Sequence, residues 1–164
     1  MPLIELGTDA PSFTLKDQEG SEHTVPDPGG RPVVLFFYPK DMTPGCTQEA
    51  CGFRDLSDKF ENAGIVVFGV SILDTASKAK FAAKHEIPYP LLADDRVGED
   101  GKPDPEAANA YGVWVEKSMF GKTTMGIQRT TYLIAPDATV AQRWDKVKVK
   151  AHAEEVLETA RGLA

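Results

Sequence analysis

The sequence predicts an α/β protein with a central mixed sheet flanked by helices. Two uninterrupted apolar runs, at residues 33–38 and 65–71, have the length and the β-branched and aromatic content of buried strands. Each is followed by a stretch of helical pattern. Two further strand patterns, at 127–134 and 139–144, meet around a Pro-Asp turn, and an amphipathic helix is predicted over 150–162. When short pieces in between are left out, the predicted order is β-α-β-α-β-β-α, which is typical of an α/β sandwich.

Residues 3–32 are predicted to form an N-terminal extension built on a β-hairpin. Short strand patterns at 13–16 and 23–25 flank the turn sequence Asp-Gln-Glu-Gly. Proline and glycine then dominate the loop that leads into the first buried strand. Pro39 ends that strand because proline has no N–H group to donate to a ladder.

A helix is predicted to begin shortly after the first buried strand. Thr43 is a good N-cap and Pro44 fits the first helical position, which places Cys46 in the first turn. One continuous helix is predicted to run as far as Gly64, because apolar residues recur at helical spacing: Ala50, Phe53, Leu56, Phe60 and Ala63.

The middle of the chain is predicted to contain one more full helix. Its apolar pattern covers residues 77–85, and Asp74 or Thr75 could cap it. Shorter segments complete this part of the chain: a strand at 90–93, an acidic loop at 94–104 and a helical piece at 105–111.

Composition limits the class of protein and of partner. The chain has 164 residues, of which 41% are hydrophobic and 26% charged, and this predicts one domain over residues 1–164 with a sizeable core. The net charge of −7, with both signs interspersed, argues against nucleic acid or a membrane surface as a partner. No signal peptide is visible, and two cysteines suit a reducing compartment, so a cytoplasmic location is predicted.

Cys46 is the leading candidate for chemistry. In the first turn of a helix, free backbone N–H groups and the positive end of the helix dipole favour a thiolate over a thiol. The alternative is that Cys46 is a buried structural cysteine, since free cysteine is among the most buried residue types. Its position at the end of a buried strand and at a helix start favours the reactive interpretation.

Cys51 lies five residues further along the same helix. Five residues of ideal helix rise about 7.5 Å and turn about 140°, so the two Cα atoms lie roughly 8–9 Å apart on different faces. A disulfide needs a separation below about 7 Å. Oxidation to a disulfide should therefore require local unwinding, which Gly52 makes easier.

Two segments of the sequence resemble a known family. The first is YPKDMTPGCT at 38–47, followed by Cys51, and the second combines YGVW at 111–114, EKSMFGK at 116–122 and GIQR at 126–129. Both strongly resemble the bacterioferritin comigratory protein (PrxQ) branch of the peroxiredoxins. The resemblance covers nearly the whole chain, and it implies a thioredoxin-like fold, which a cysteine at the first strand–helix junction also suggests.

The resemblance implies roles for several residues around the reactive sulfur. Arg129 would lie beside the sulfur, stabilise a thiolate and polarise a peroxide oxygen, although a surface arginine is the alternative for that strand taken alone. Thr43 would donate its hydroxyl to the peroxide or the thiolate, a role that competes with capping. Pro39 would shield the sulfur from water. Glu49 would orient the arginine, although a solvated glutamate is the simpler interpretation. Tyr38 and Glu49 are both assigned to binding.

The same resemblance implies a complete reaction. The Cys46 thiolate would attack the O–O bond of hydrogen peroxide or an organic hydroperoxide and become a sulfenic acid. Cys51 would then form an intramolecular disulfide, which thioredoxin or a similar dithiol reductant would reopen. No cofactor and no metal are expected, and the intramolecular pair suggests a monomer.

Two other functions stay open at this point. A dithiol–disulfide oxidoreductase is suggested by the same fold, but Cys-x4-Cys is not the Cys-x-x-Cys spacing of thioredoxins. A redox-sensing interaction module, in which helix unwinding is the signal, is the non-enzymatic alternative. The histidines at 23, 85 and 152 share no ligand spacing and are predicted to be surface residues.

Overall fold

The structure, a computed structural model, describes residues 3–163, apart from the side chain of Met119. It contains nine strands: β1 (Phe13–Lys16), β2 (Glu22–Val25), β3 (Val33–Phe37), β4 (Val66–Ser71), β5 (Leu91–Ala93), β6 (Trp114–Met119), β7 (Lys122–Ile127), β8 (Thr130–Ile134) and β9 (Val140–Trp144). The helices are α1 (Pro44–Asp55), α2 (Ser57–Asn62), α3 (Thr75–His85), α4 (Glu106–Ala110) and α5 (His152–Arg161). In this part of the chain no helix is long and apolar enough to cross a bilayer.

Seven strands form one mixed sheet in the order β2-β1-β5-β4-β3-β8-β9. The three inner strands β3, β4 and β5 are parallel, β1 and β8 pair antiparallel with β5 and β3 respectively, and β9 pairs antiparallel with β8. Strand β3 lies near the centre, with Leu35 facing Phe68 of β4 on one side and Tyr132 of β8 on the other. The mixed sheet with flanking helices confirms the predicted fold class, and β1 and β2 form the predicted N-terminal hairpin.

Alternation along β3 divides the core between the two faces of the sheet. Val34 and Phe36 point towards α1, α2, α3 and α5, whereas Leu35 and Phe37 point towards α4 and the N-terminal segment. All five residues of β3 are fully buried, which is why the sequence shows an unbroken apolar run there. The organisation of residues 1–164 as one domain stays a prediction.

The prediction of one continuous helix up to Gly64 is wrong, because the helix breaks at Leu56 into α1 and α2. Leu56 leaves helical geometry, with φ −106° and ψ 6°, and its N–H bonds the Phe53 carbonyl three residues back. Such tightened turns are common at helix ends. The hydrophobic spacing continues across the break, with the rings of Phe53 and Phe60 5.8 Å apart, so the pattern gave no sign of it.

The single strand predicted over 127–134 is also wrong. Strand β7 ends at Ile127, and β8 begins at Thr130 in a different sheet. Between them, Gln128 donates its N–H to the Val113 carbonyl at 2.8 Å, which continues the register that places Trp114 opposite Ile127, so the chain leaves the β6–β7 ladder only after Gln128. Arg129 therefore lies in a connection between two sheets. The exposed two-stranded β6–β7 hairpin was not predicted.

His152 corrects the prediction that all three histidines are surface residues. It is 4% exposed, it shares a 2.8 Å hydrogen bond with the Thr131 hydroxyl, and its ring meets Phe53 edge to face. Burial lowers the pKa of His152 to about 4, so the imidazole is neutral at the pH of most cells. Its position at the start of α5 makes it part of the contact between α5 and α1.

A buried polar network holds the loop that precedes Cys46. Lys78 of α3 is fully buried, and its ammonium donates to the Ser71 hydroxyl of β4 and, at 3.3 Å, to the Asp41 carboxylate. Tyr38, directly after β3, donates its hydroxyl to the same carboxylate. The network therefore ties α3 and β4 to the loop that joins β3 to α1.

Replacing Lys78 by Met should lower the free energy of unfolding by about 3–5 kcal/mol, because it leaves Asp41 as a buried charge without its cation. Equilibrium unfolding in urea measures the change. Lys80→Met is the matched control on the exposed side of α3 and should change stability by less than about 0.5 kcal/mol. A loss below about 1 kcal/mol in Lys78→Met would contradict the assignment.

Candidate active site

Cys46 lies in the first turn of α1, the helix that follows β3 along the chain. Thr43 is the N-cap residue, Pro44 begins the helix, and Thr47 makes the first helical hydrogen bond, to the Thr43 carbonyl at 2.8 Å. The N–H groups that precede Thr47 have no partner inside the helix, so they present partial positive charge beside the sulfur. Cys46 is 1% exposed and is a free thiol.

The guanidinium of Arg129 joins Cys46 to Glu49. Its Nη2 lies 3.1 Å from the Cys46 sulfur, and its Nη1 donates to Glu49 Oε1 at 2.6 Å. Cys46 and Glu49 are one helical turn apart on α1, whereas Arg129 comes from the β7–β8 connection. The fixed fork of a guanidinium lets one side chain hold both groups.

Gly45 makes room for this arrangement. A β-carbon at Gly45 would lie 3.3 Å from Arg129 Nη2, which is tighter than an ordinary contact. The guanidinium therefore passes directly over the first turn of α1 on its way to the sulfur. Sequence reasoning did not assign Gly45 a part, because the clash involves a residue far along the chain.

Glu49 is buried instead of solvated. It is 2% exposed, and among residues 3–163 nothing donates a hydrogen bond to its Oε2 atom. Burial raises the pKa of Glu49 to about 7, and the Arg129 guanidinium limits that rise. The charge of Glu49, and with it the balance of charge around Arg129, therefore changes close to neutral pH.

Thr43 and Pro39 both lie in the loop before α1. Thr43 occupies the N-cap position but its side chain makes no capping bond, and its hydroxyl donates to the Lys40 carbonyl at 3.1 Å. The Thr43 hydroxyl is therefore engaged by the Lys40 carbonyl and not by a capping bond. A hydrogen bond from this hydroxyl to a peroxide would compete with that carbonyl. Pro39 is half-buried and follows the end of β3, as its role in ending the strand predicts.

Tyr38 has a different setting from the binding position expected of it. Its side chain is fully buried, and its ring packs against Phe36 and Phe81 in the core. Its hydroxyl is engaged with Asp41. Tyr38 therefore bears on the site through the loop that it anchors, because its ring and its hydroxyl are both engaged by other residues of the protein.

Cys51 lies on the same helix as Cys46 and is also a free thiol, half-buried. The two cysteines thus coexist reduced on an intact α1, as the geometry of the helix predicts. Two bonds hold this part of α1 to its surroundings: Tyr89 donates to the Ala50 carbonyl at 2.7 Å, and Arg54 donates to the His85 carbonyl at 2.8 Å. The sequence pattern gave no signal for either bond, because both partners lie more than 30 positions away along the chain.

Comparison with known proteins identifies the family. The AhpC/TSA family model matches residues 6–143. A peroxiredoxin Bcp of Bacillus subtilis is 42% identical over 161 residues, covering 98% of this chain and 98% of that protein. This chain is a peroxiredoxin of the AhpC/TSA family. A peroxiredoxin Bcp of Escherichia coli is 38% identical and covers 96% of each chain, so the peroxiredoxin belongs to the bacterioferritin comigratory protein branch.

Solved structures agree with this assignment. The bacterioferritin comigratory protein of Xanthomonas campestris superimposes with a TM-score of 0.82 at 35% identity, over 99% of this chain and 98% of that one. The match confirms the thioredoxin-like fold. This peroxiredoxin is accordingly a thiol peroxidase, with a peroxide as its substrate and a thiol as its reductant.

The pH dependence of stability should reveal the buried Glu49 carboxyl. In the unfolded chain this group loses its proton near its ordinary pKa of 4.5, whereas in the folded protein it keeps the proton up to about pH 7. Unfolding therefore releases a proton between those values, and stability falls as pH rises through them. Relative to Glu49→Gln, the wild-type free energy of unfolding should drop by about 3 kcal/mol between pH 4.5 and 7.5.

Urea unfolding at a series of pH values measures this difference, with Glu61→Gln on the exposed side of α2 as the control that should follow the wild type. Parallel curves for wild type and Glu49→Gln would show that the carboxyl titrates as it does in the unfolded chain.

Proposed function

We propose that this peroxiredoxin reduces hydrogen peroxide and organic hydroperoxides at Cys46, that Cys51 resolves the product as an intramolecular disulfide, and that a thioredoxin-like dithiol recycles it. The observation that carries the proposal is the 3.1 Å contact between Arg129 Nη2 and the Cys46 sulfur at the start of α1. A permanent cation and a helix N-terminus meet at one sulfur there, and both stabilise a thiolate.

In the first step the Cys46 thiolate attacks one oxygen of the peroxide and the O–O bond breaks. The sulfur gains that oxygen and becomes a sulfenic acid, while the other oxygen leaves as hydroxide or alkoxide and takes up a proton. Arg129 is positioned to donate to the oxygens as negative charge passes to them. Thr43 could add a second donor by turning its hydroxyl from the Lys40 carbonyl.

In the second step the Cys51 thiolate attacks the Cys46 sulfenic sulfur, an S–S bond forms as the S–O bond breaks, and the leaving hydroxide takes up a proton to become water. On intact α1 the two Cα atoms are roughly 8–9 Å apart, beyond the reach of a disulfide. The helix must therefore unwind between them. The Tyr89 and Arg54 bonds to this region oppose that unwinding, and Gly52 within α1 favours it.

Substrate range and reductant rest on related proteins and on general chemistry. The Xanthomonas campestris relative has an alkyl peroxide reduction activity, which supports organic hydroperoxides as substrates here. A disulfide formed by unwinding one helix would be exposed to exchange with an external dithiol. The intramolecular pair fits a monomer of one domain over residues 1–164, and two reduced cysteines fit the cytoplasm.

One equivalent of hydrogen peroxide should consume both thiols of the reduced protein and lower its mass by two hydrogens, without forming a dimer. Cys51→Ser should lose its one thiol and gain oxygen instead, because the sulfenic acid then has no resolving partner. Cys46→Ser should consume no peroxide. Thiol titration, intact mass and non-reducing electrophoresis measure the three outcomes.

Peroxide consumption by Cys46→Ser at the wild-type rate would overturn the assignment of Cys46. Oxygen added to one thiol of the wild type, with Cys51 left free, would remove Cys51 from the cycle while keeping Cys46 as the reactive residue.

Tyr89→Phe should speed disulfide formation, because it removes the hydrogen bond to the Ala50 carbonyl and so favours unwinding of α1. One hydrogen bond contributes about 0.5–1.5 kcal/mol, so closure should be about two- to tenfold faster. Stopped-flow fluorescence after mixing with peroxide measures the rate.

Tyr111→Phe is the matched control. Its hydroxyl makes a 2.7 Å bond to the Pro11 carbonyl on the opposite face of the sheet, away from α1. Equal closure rates in Tyr89→Phe and wild type would show that this bond does not limit the unwinding step.

A further inference from the structure

Lys117 is an exposed residue of the β6–β7 hairpin, and its side chain turns back across the neighbouring strand. Its ammonium donates a hydrogen bond to the Ile127 carbonyl at the end of β7. The path crosses Gly126, where a β-carbon would lie 3.0 Å from Lys117 Cδ and 3.3 Å from Cε. The absence of a side chain at Gly126 is what allows the lysine to lie against the strand.

The carbonyl that receives this bond belongs to the segment that carries Arg129. Ile127 is 2% exposed, and two residues later the chain reaches the guanidinium that contacts Cys46. Gln128, between them, is held by its N–H bond to the Val113 carbonyl. The Lys117 bond therefore fixes the start of the connection on which Arg129 stands.

The ammonium also lies within electrostatic range of the site. The pKa of Lys117 is lowered by partial burial and by the Arg129 guanidinium, and the Cys46 sulfur opposes that decrease. Arg129 and Lys117 are thus two cations that interact with the Cys46 sulfur, and Glu49 is bonded to the first of them.

A second cation near the Arg129–Glu49 pair would help to stabilise the Cys46 thiolate. When Glu49 is ionised, its charge offsets that of Arg129, to which it is bonded at 2.6 Å. The pair then has little net charge with which to stabilise a thiolate. An additional ammonium restores positive potential at the sulfur without needing to touch it.

We propose that Lys117 is a positioning residue of the peroxidatic site: its ammonium holds the Ile127 carbonyl, and so the approach of Arg129, and adds the positive charge that favours the Cys46 thiolate. The inference deepens the proposed function and rests on Cys46 being the reactive thiol. Gly126 is part of the same arrangement, because it leaves the space that the Lys117 side chain occupies.

The test compares three replacements at Lys117 in a Cys51→Ser background, where Cys46 is the one thiol left. Lys117→Gln keeps a hydrogen-bond donor without the charge, Lys117→Met keeps neither, and Lys117→Arg keeps both. The readouts are the pH midpoint of Cys46 alkylation by iodoacetamide and the second-order rate constant with hydrogen peroxide.

Both neutral variants should raise the alkylation midpoint by about half a pH unit, and Lys117→Arg should restore the wild-type value. The rate constant with peroxide should fall about two- to fivefold in Lys117→Gln, and further in Lys117→Met. The shift in midpoint should shrink in high salt, because screening weakens a charge effect and leaves a packing effect unchanged.

Lys122→Met is the matched control, since Lys122 is an exposed cation at the far end of the same hairpin, paired with Met119. It should keep the wild-type midpoint and rate. Gly126→Ala, which leaves the lysine in place but displaces its side chain, should shift the midpoint in the same direction and add nothing to Lys117→Met.

A wild-type midpoint in both Lys117→Gln and Lys117→Met would overturn the inference, as would an equal shift in Lys122→Met. Failure of the proposed function gives a different result. In that case Cys46 of the wild type would not react with peroxide at all, whereas its alkylation profile would still report the effect of Lys117.

Discussion

The contact between Arg129 and Cys46 depends on nearly every other feature of the fold. It joins residues 83 positions apart, one in the first turn of α1 and the other in the β7–β8 connection. Strand β3 leads into the helix that carries the cysteine. Its antiparallel neighbour β8 begins directly after the arginine. Glu49 holds the second arm of the guanidinium, and Gly45 leaves the space beneath it. The arrangement brings a guanidinium and a helix N-terminus to one buried sulfur, which is the physical basis of the proposed peroxide chemistry.

The same helix must satisfy a second, opposing constraint. Intact α1 keeps the sulfur of Cys46 beside Arg129, but it also keeps Cys51 on a different face and out of bonding distance. Stability of α1 therefore favours reaction with peroxide, and its instability favours resolution. Tyr89 and Arg54 hold the helix to the rest of the core, whereas Gly52 weakens it from within. The balance between these groups should set how long the sulfenic acid persists.

Local features of the sequence were enough to predict the strand before Cys46, the helix start at Pro44 and the placing of both cysteines on that helix, because each depends on a few neighbouring residues. Long-range features were missed. Glu49 is buried where the Arg129 side chain reaches it from the β7–β8 connection, and His152 is buried where α5 packs against α1, with no trace of either in the local pattern. The apolar spacing around Leu56 and across residues 127–134 continues through a helix break and a change of sheet. The family resemblance supplied Arg129, which the strand pattern alone would have left at the surface.

If the two thiols react through an unwinding of α1, amide hydrogen exchange should detect that unwinding in the oxidised protein. The amides of residues 47–52 should be protected in the reduced protein, where they belong to an intact helix. In the protein oxidised with one equivalent of peroxide they should exchange at least about tenfold faster, while β3 keeps its protection. An oxidised protein that contains the Cys46–Cys51 disulfide and still protects these amides as the reduced form does would show that the disulfide forms without unwinding of α1.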